Sequence, residues 1–182
     1  MHWQNVHGLS SKSFTCGHCG NLIASSSGYS SNSINGAIYI CPHCEKPVYF
    51  DRTGIPLPGI AFGNDVSHVP PTIEALYTEA RRCTSASAYT ASVLLSRKLL
   101  MNIAVAQGAQ EGKAFIFYVE YLANSGYVPP NGKGWVDHIR KKGNEATHEI
   151  VLMSDSDAKD LIAFSEMLLK FIYEFPNKIP SP

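Results

Sequence analysis

The chain has 182 residues, a length that fits one ordinary domain and a small second one. Hydrophobic residues make up 45% of it, enough for a packed core, and Lys plus Arg equal Asp plus Glu at 15 each. The zero net charge excludes proteins that bind nucleic acid through a strongly basic overall surface, whereas a local basic patch remains compatible with it. The sequence lacks both an apolar run of about 18 residues and a secretory leader, so we expect a soluble cytoplasmic protein without membrane association.

The first third of the chain alternates short apolar runs with turn residues, a pattern typical of β-hairpins. It contains two Cys-x-x-Cys pairs, Cys16 with Cys19 and Cys41 with Cys44, separated by 21 residues. Two intervening residues let both thiolates of a pair reach one ion across a tight turn, and a second pair completes a tetrahedron. In a reducing compartment such pairs hold metal more often than they form disulfides. We predict that the Ser-rich stretch 25–36 between the pairs is a flexible hairpin tip.

This pattern predicts a zinc ribbon over residues 1–52, with Zn²⁺ as the cofactor and with four ligands: Cys16, Cys19, Cys41 and Cys44. Four thiolates fill the coordination sphere, which makes the ion structural and leaves no open position for metal catalysis. Redox-active cysteine pairs and an iron site are the alternatives.

Residues 53–69 are rich in proline and glycine and are predicted to be a linker. From residue 70 onward, apolar residues recur with helical spacing. Five helices are predicted, over about residues 70–83, 87–107, 112–124, 134–148 and 154–176. Short loops between helices of this length predict an antiparallel bundle, so the predicted fold class is mainly α, with the small β-hairpin ribbon in front of the bundle.

The fourth helix carries the most concentrated polar cluster of the chain. Residues 133–142 contain four basic side chains and one acidic one, so this segment is locally cationic. Arg140, Asn144 and His148 are spaced four residues apart, which places a guanidinium, an amide and an imidazole on one helix face. Either they converge on one ligand, or they form the ordinary solvated face of an amphipathic helix.

The run from Arg140 through Gly143 and Asn144 to His148 resembles the R-x-x-G-N-x-x-x-H signature of the bacterial family named domain of unknown function 4145. Further similar segments extend the resemblance over about residues 70–177: Ala80 to Cys83, Ala88 to Leu99 and Ser154 to Ala158. That family is similar to the HEPN superfamily of helical bundles, and an N-terminal zinc ribbon frequently accompanies it. The resemblance therefore implies an HEPN-like helical domain over residues 70–182.

HEPN proteins are commonly dimers, and many are metal-independent ribonucleases of toxin and anti-phage defence systems. The resemblance thus implies a homodimer that binds RNA or another nucleic acid. Their motif is Arg, a polar residue, three further residues and His. Asn144 and His148 fit this motif, whereas Gly143 occupies the arginine position and Arg140 lies one turn earlier. On this interpretation His148 is the catalytic base, Asn144 orients it or the phosphate, and three basic residues contact nucleic acid: Arg140, Lys141 and Lys142.

The alternative is a non-catalytic dimeric module that binds a partner protein, with Asn144 and His148 as structural hydrogen-bonding residues. The missing motif arginine favours this alternative. The surroundings of the polar stripe distinguish the two hypotheses. A stripe facing an open groove favours the enzyme, and a stripe engaged in internal contacts favours the module.

Overall fold

A computed structural model describes residues 3–178, except residues 32, 34, 130, 131, 149 and 150. In the helix over residues 133–148, the side chains of 133 and 144–148 also lie outside the description. The chain divides into two units, Met1–Ala61 and Phe62–Pro182. Across the residues described, no helix combines the length and the apolar character needed to cross a membrane.

The N-terminal unit is a five-stranded antiparallel sheet in which each strand pairs with the next along the chain. Its strands are β1 (His7–Thr15), β2 (Leu22–Ser31), β3 (Gly36–Ile40), β4 (Pro47–Phe50) and β5 (Pro56–Leu57). Three aromatic rings, those of Phe14, Tyr39 and Phe50, meet edge to face with centroids 4.9–6.0 Å apart. The fully buried Val48 packs with them, so this unit has a small apolar core.

Strand β2 contains most of the Ser-rich stretch that we predicted to be a flexible tip. Its backbone pairs with β1 on one side and β3 on the other, and this ladder does not depend on apolar side chains. Ser25 is buried, and its hydroxyl donates to the Ile40 carbonyl at 2.7 Å. Serine therefore serves here as a small strand residue with a satisfied hydroxyl, instead of as a turn former.

The C-terminal unit is helical, with α1 (Pro71–Ser85), α2 (Tyr89–Ala106), α3 (Phe115–Asn124), α4 (Lys133–His148) and α5 (Asp155–Leu169). A π-helical turn (Lys170–Glu174) and α6 (Phe175–Lys178) follow without a break. Helix α2 contacts α1, α3, α4 and α5, so it forms the centre of the unit. The five helical segments predicted from periodicity are found, the last of them divided by the π-helical turn.

The prediction of a mainly α chain, with an antiparallel HEPN-like bundle after a small β-hairpin, is wrong for the chain as a whole. The N-terminal unit is a five-stranded sheet, and the chain therefore combines a β unit with an α unit. The predicted linker 53–69 also contributes to this sheet, because Pro56–Leu57 forms β5. Composition predicts these strands poorly, because serine, glycine and proline are typical of turns but also occur in strands, proline mainly in edge strands.

Candidate metal centre and the polar helix

The four cysteines of the N-terminal unit form one cluster, with their Sγ atoms all within 4.8 Å of one another. The Sγ atoms of Cys16 and Cys44 are 3.8 Å apart, and those of Cys19 and Cys41 are 3.9 Å apart. A tetrahedron with metal–sulfur bonds of about 2.3 Å has edges of about 3.8 Å. A disulfide, by contrast, needs about 2.05 Å between its sulfurs. The cluster thus has the spacing of a four-thiolate metal site.

The two Cys-x-x-Cys turns have the same backbone construction. In the first, the Gly20 N–H donates to the Cys16 carbonyl at 2.8 Å, and in the second the Glu45 N–H donates to the Cys41 carbonyl at 2.8 Å. The fifth residue of each turn has a positive φ, 71° at Gly20 and 57° at Glu45. For a glutamate this left-handed conformation costs about 1–2 kcal/mol. The same left-handed conformation at equivalent positions, kept at Glu45 in spite of this cost, indicates that both turns are shaped to present their thiols.

The cysteine pKa values reflect burial and the crowding of four sulfurs. Cys16 and Cys41 are fully buried, and burial raises the pKa of the Cys16 thiol. Burial and the neighbouring thiols raise the pKa of Cys44 to about 12. At Cys19 burial also acts upward, but hydrogen bonds from Asn21 and from neighbouring thiols outweigh it and lower the pKa to about 6. Because thiolates are the metal ligands, metal binding releases the protons of thiols that are still protonated.

Two histidines lie within the turns without joining the cluster. The Nε2 atom of His18 lies 2.9 Å from the Pro47 carbonyl oxygen, to which it donates a hydrogen bond. The Nδ1 atom of His43 accepts from the Asn21 amide at 3.1 Å. Both side chains are exposed, and both brace one turn against the residues of the other.

In the helical unit, Arg140 lines an open cleft of about 420 Å³ between α3 and α4. Its two terminal nitrogens lie 3.6 Å from carboxylate oxygens of Glu120 and Asp137. All three side chains are about half exposed, so these ion pairs are solvated. Arg140 is therefore accessible to a ligand, but two acids already balance its charge.

Three pairs on successive turns of α4 connect it to α5: Trp135 with Phe164, His138 with Asp160, and Lys142 with Asp157. The ammonium of Lys142 lies 3.0 Å from an Asp157 oxygen, and both side chains are mostly buried. Lys142, predicted to contact nucleic acid, thus connects two helices of the same unit. Lys141 is exposed.

Asn144 and His148 lie within α4, as the periodicity predicted, and at helical spacing they share a face with Arg140. Their side chains lie outside the described part of the chain. The predicted convergence of the guanidinium, the amide and the imidazole therefore stays a prediction.

Comparison with known protein families assigns most of the helical unit to one family. Over residues 78–181, more than half of its length, the chain matches the family described as Domain of unknown function (DUF4145). The chain belongs to this family. The matched region begins within α1 and leaves the cysteine cluster outside it. No curated protein and no solved structure matches the chain.

Within the DUF4145 region, Gly143 stands where the resembling motif has arginine, and the structure gives a packing reason for glycine. A Cβ atom at this position would lie 2.2 Å from Cε1 of Phe115, whose ring is only 1% exposed. The Gly143 carbonyl accepts a hydrogen bond from the guanidinium of Arg97, which reaches across from α2. A side chain at residue 143 would collide with the α3 ring, so no cation can come from this position.

Two features of the DUF4145 region were missed by sequence reasoning. Helical periodicity includes Arg97 in the second helix without giving it a role, and it does not predict the His138–Asp160 pair. The partners lie 46 and 22 residues apart along the chain. Helical periodicity predicts which residues share a face of one helix, but not which helix that face meets.

Proposed function

We propose that the N-terminal unit is a zinc ribbon and that its four cysteines hold a structural Zn²⁺ ion. The spacing of the sulfur atoms supports this, since both cross-turn distances equal the edge of a zinc–thiolate tetrahedron within about 0.1 Å. The matching construction of the two turns supports it as well. When bound, the ion supplies coordination bonds that hold the two turns together. With four thiolate ligands it offers no position for a substrate.

We further propose that the helical unit binds RNA along α4. The observation that carries this proposal is the position of Arg140 at an open cleft, paired only through long and solvated contacts. Exposed ion pairs of this kind contribute about 0–1 kcal/mol, so a phosphate group can replace the carboxylates at little cost. A guanidinium binds two phosphate oxygens at once, a geometry that an ammonium does not offer.

The charge of the molecule limits the type of RNA complex. With 15 basic and 15 acidic residues, and with Lys142 engaged by Asp157, α4 offers few phosphate contacts. Duplex binding through many phosphates requires far more positive charge. A single-stranded RNA segment held by a few side chains is the ligand class that fits this helix.

Cleavage of the bound RNA requires more than binding does. A metal-independent ribonuclease needs a base for the 2′-hydroxyl and a cation for the charge that develops on the phosphate. His148 is the candidate base in α4, and its unperturbed pKa lies near neutrality. Because residue 143 cannot supply the cation, the proposal is binding, and cleavage by His148 is one outcome of its test.

That test uses full-length zinc-loaded protein and labelled single-stranded RNA. Arg140→Gln is expected to lower the affinity about three- to tenfold and to reduce the salt dependence by about one phosphate contact. The matched control is Arg82→Gln, because Arg82 is exposed on α1 and outside the cleft. Product analysis of the same mixtures shows whether the RNA is cut. Cleavage that persists in EDTA and disappears in His148→Ala would make the protein a ribonuclease. Absence of RNA binding by the parent would refute the proposal.

The second candidate function is a dimeric module that binds a partner protein, and one observation favours it. Phe171 and Phe175 are 51% and 49% exposed and border a groove of about 380 Å³ on α5 and α6. Two neighbouring exposed aromatic rings are typical of protein contact surfaces. The occupant we propose is a second copy of the chain, since many soluble oligomers are symmetric dimers.

Sedimentation at micromolar concentration tests this candidate. We expect a dimer for the parent and a monomer for the double variant Phe171→Ser with Phe175→Ser. Leu152→Ser is the control, since Leu152 is 89% exposed and does not line the groove. A parent that is monomeric throughout, or a double variant that dimerises as well as the parent, would remove the support from this groove.

A further inference from the structure

Arg97 is the one residue of α2 whose charged group reaches both α3 and α4 in the described structure. Its guanidinium carbon lies over the Phe115 ring, 4.6 Å from the ring centroid, within the range of a cation–π contact. One of its terminal nitrogens donates to the Gly143 carbonyl in α4. The guanidinium is thus held at the helix turn that begins with Gly143 and continues into Asn144.

Glycine at position 143 is what makes this approach feasible. With no Cβ, the α4 backbone lies directly against Phe115, and the carbonyl of Gly143 comes within reach of Arg97. Residue 143 is therefore not an arginine, but the guanidinium of Arg97 from α2 lies at the same turn of α4. The cation arrives from a different helix at the same level of α4.

Within the described part of the chain, Arg97 forms fewer hydrogen bonds than Arg81 does. Arg81 donates to the carbonyls of Phe62 and Gly63 and pairs with Asp65. Arg97 has five N–H donors like any arginine, but among the described groups only one carbonyl accepts from it. None of the described carboxylates forms an ion pair with it. The side chain of Arg97 is half-buried, and this burial lowers the pKa of its guanidinium.

A half-buried guanidinium that lies over an aromatic ring, and most of whose donors are engaged by no described group, is suited to bind an anion. Because the guanidinium is already held in place by these contacts, less conformational entropy is lost when an anion binds. Phosphate is a biological anion that fits, because two of its oxygens match the two-pronged geometry of the donors, as those of a carboxylate also do.

We propose that Arg97 is the phosphate-binding residue of the α4 site, where it holds one backbone phosphodiester of single-stranded RNA beside Asn144. This inference rests on the proposed RNA binding along α4 and names the residue that replaces the motif arginine. Arg140, one turn earlier and on the solvated cleft, contacts a neighbouring part of the same strand.

The experiment compares full-length zinc-loaded parent, Arg97→Met, Arg97→Lys and Lys98→Gln for binding of single-stranded RNA. Arg97→Met is expected to lose about tenfold or more in affinity, equivalent to about 1.4 kcal/mol. Arg97→Lys keeps the charge but loses the planar two-pronged geometry, so an intermediate loss is expected. Lys98 is the exposed neighbour on the same helix, and Lys98→Gln should bind within about twofold of the parent.

Thermal unfolding of each variant separates binding from folding, because Arg97→Met also removes the contact with Phe115. If Arg97→Met fails to fold, the folded Arg97→Lys variant decides the question through its affinity. RNA binding by the parent that both Arg97 variants retain unchanged would overturn the inference and leave the proposed function intact.

A parent that does not bind RNA would refute the proposed function, and inorganic phosphate then tests Arg97 directly. Millimolar phosphate is expected to raise the unfolding temperature of the parent and of Lys98→Gln, but not that of Arg97→Met, relative to chloride at equal ionic strength. An equal rise in all three proteins would overturn the anion site itself.

Discussion

The two units of this chain are stabilised by different means. Among the described residues, the buried apolar cluster of the β unit has six members, two of them cysteines, while that of the helical unit has 24. A core of six side chains is below what usually supports an independent fold, so such small units depend on disulfides or a metal. The helical unit has a core four times as large, formed around α2, which contacts α1, α3, α4 and α5.

The two units also differ in whether the residues that could bind a ligand are the same ones that stabilise the fold. In the β unit the four residues with the most evident chemistry, the clustered cysteines, are also the ones that would hold the unit together under the proposed zinc binding. In the helical unit, the polar residues of α4 are divided between two tasks. Lys142 and His138 connect α4 to α5, whereas Arg140 presents its charge at the surface. Arg97, from α2, adds a second charge at the junction with α4.

The largest effect is expected from removing a cysteine ligand. Cys41→Ser should abolish stoichiometric zinc binding and unfold residues 1–61, because structural zinc contributes about 10–16 kcal/mol in comparable sites and the remaining core is small. The helical circular-dichroism signal and its unfolding transition should persist. Metal analysis, with about one zinc per parent chain, and resonances of the β unit measure the two effects.

Cys83→Ser is the matched control for that substitution, because Cys83 is the one cysteine outside the cluster. It should leave the metal content unchanged. If the β unit stays folded after a strong chelator has removed zinc, its six-member apolar cluster is sufficient for folding. That result would contradict the conclusion that the β unit depends on a metal.

The next largest effect concerns glycine positions in α4. Gly143→Ala should destabilise the helical unit by about 1–3 kcal/mol, since the new methyl group would meet the buried Phe115 ring at 2.2 Å. Gly134→Ala, in the same helix, meets nothing within 4 Å and should stabilise by up to about 1 kcal/mol through helix propensity. Urea unfolding midpoints of the two variants and the parent measure both values.

Equal stability of the two variants would contradict the packing of α4 on Phe115. It would also mean that a side chain fits at residue 143, so that glycine there would not be needed for the approach of Arg97. The pair of variants therefore tests helix packing independently of any ligand.

The clustering of the four cysteines and the helices could be predicted from the sequence because both depend on local spacing. Cys-x-x-Cys turns bring two thiols together over four residues, and apolar periodicity reports which face of a helix is buried. The sheet was underestimated, because β2 is built from serines whose strand conformation comes from ladder partners on either side. Such pairing is a long-range property and leaves little trace in composition.

The polar helix shows the same limit at the level of single residues. Spacing predicted that Arg140 is on an exposed face, but not that Glu120 of α3 pairs with it. In the sequence, Gly143 is notable only because it occupies the position where the resembling motif has arginine. In the structure, it is the residue of α4 that contacts Phe115 and Arg97. What a motif position does depends on the helix opposite, which no spacing rule supplies.

The smallest effect is expected at the start of α5, where Asp157 joins a capping box and pairs with Lys142. Its carboxylate accepts from the Ser154 backbone and hydroxyl at 2.9 and 2.7 Å. Burial alone would raise the pKa of Asp157, but these hydrogen bonds and the Lys142 ammonium lower it below its usual value. A lowered folded-state pKa means that the charge stabilises the fold above the unfolded pKa of about 3.9, and that this is lost as pH falls through the folded value.

Asp157→Asn should therefore cost about 1 kcal/mol near pH 7, the usual contribution of a helix-start anion with a capping role. The stability difference between parent and variant should shrink as the pH is lowered below about 3.9, because the parent then also loses the charge. Asp155→Asn is the control in the same turn, since Asp155 is 46% exposed and pairs only with Lys159 among the described residues, so its loss should cost about 0.5 kcal/mol or less. Urea unfolding at several pH values measures all three proteins. A difference for Asp157→Asn that is the same at pH 7 and at low pH would mean that its amide, and not its missing charge, disturbs the α4–α5 connection.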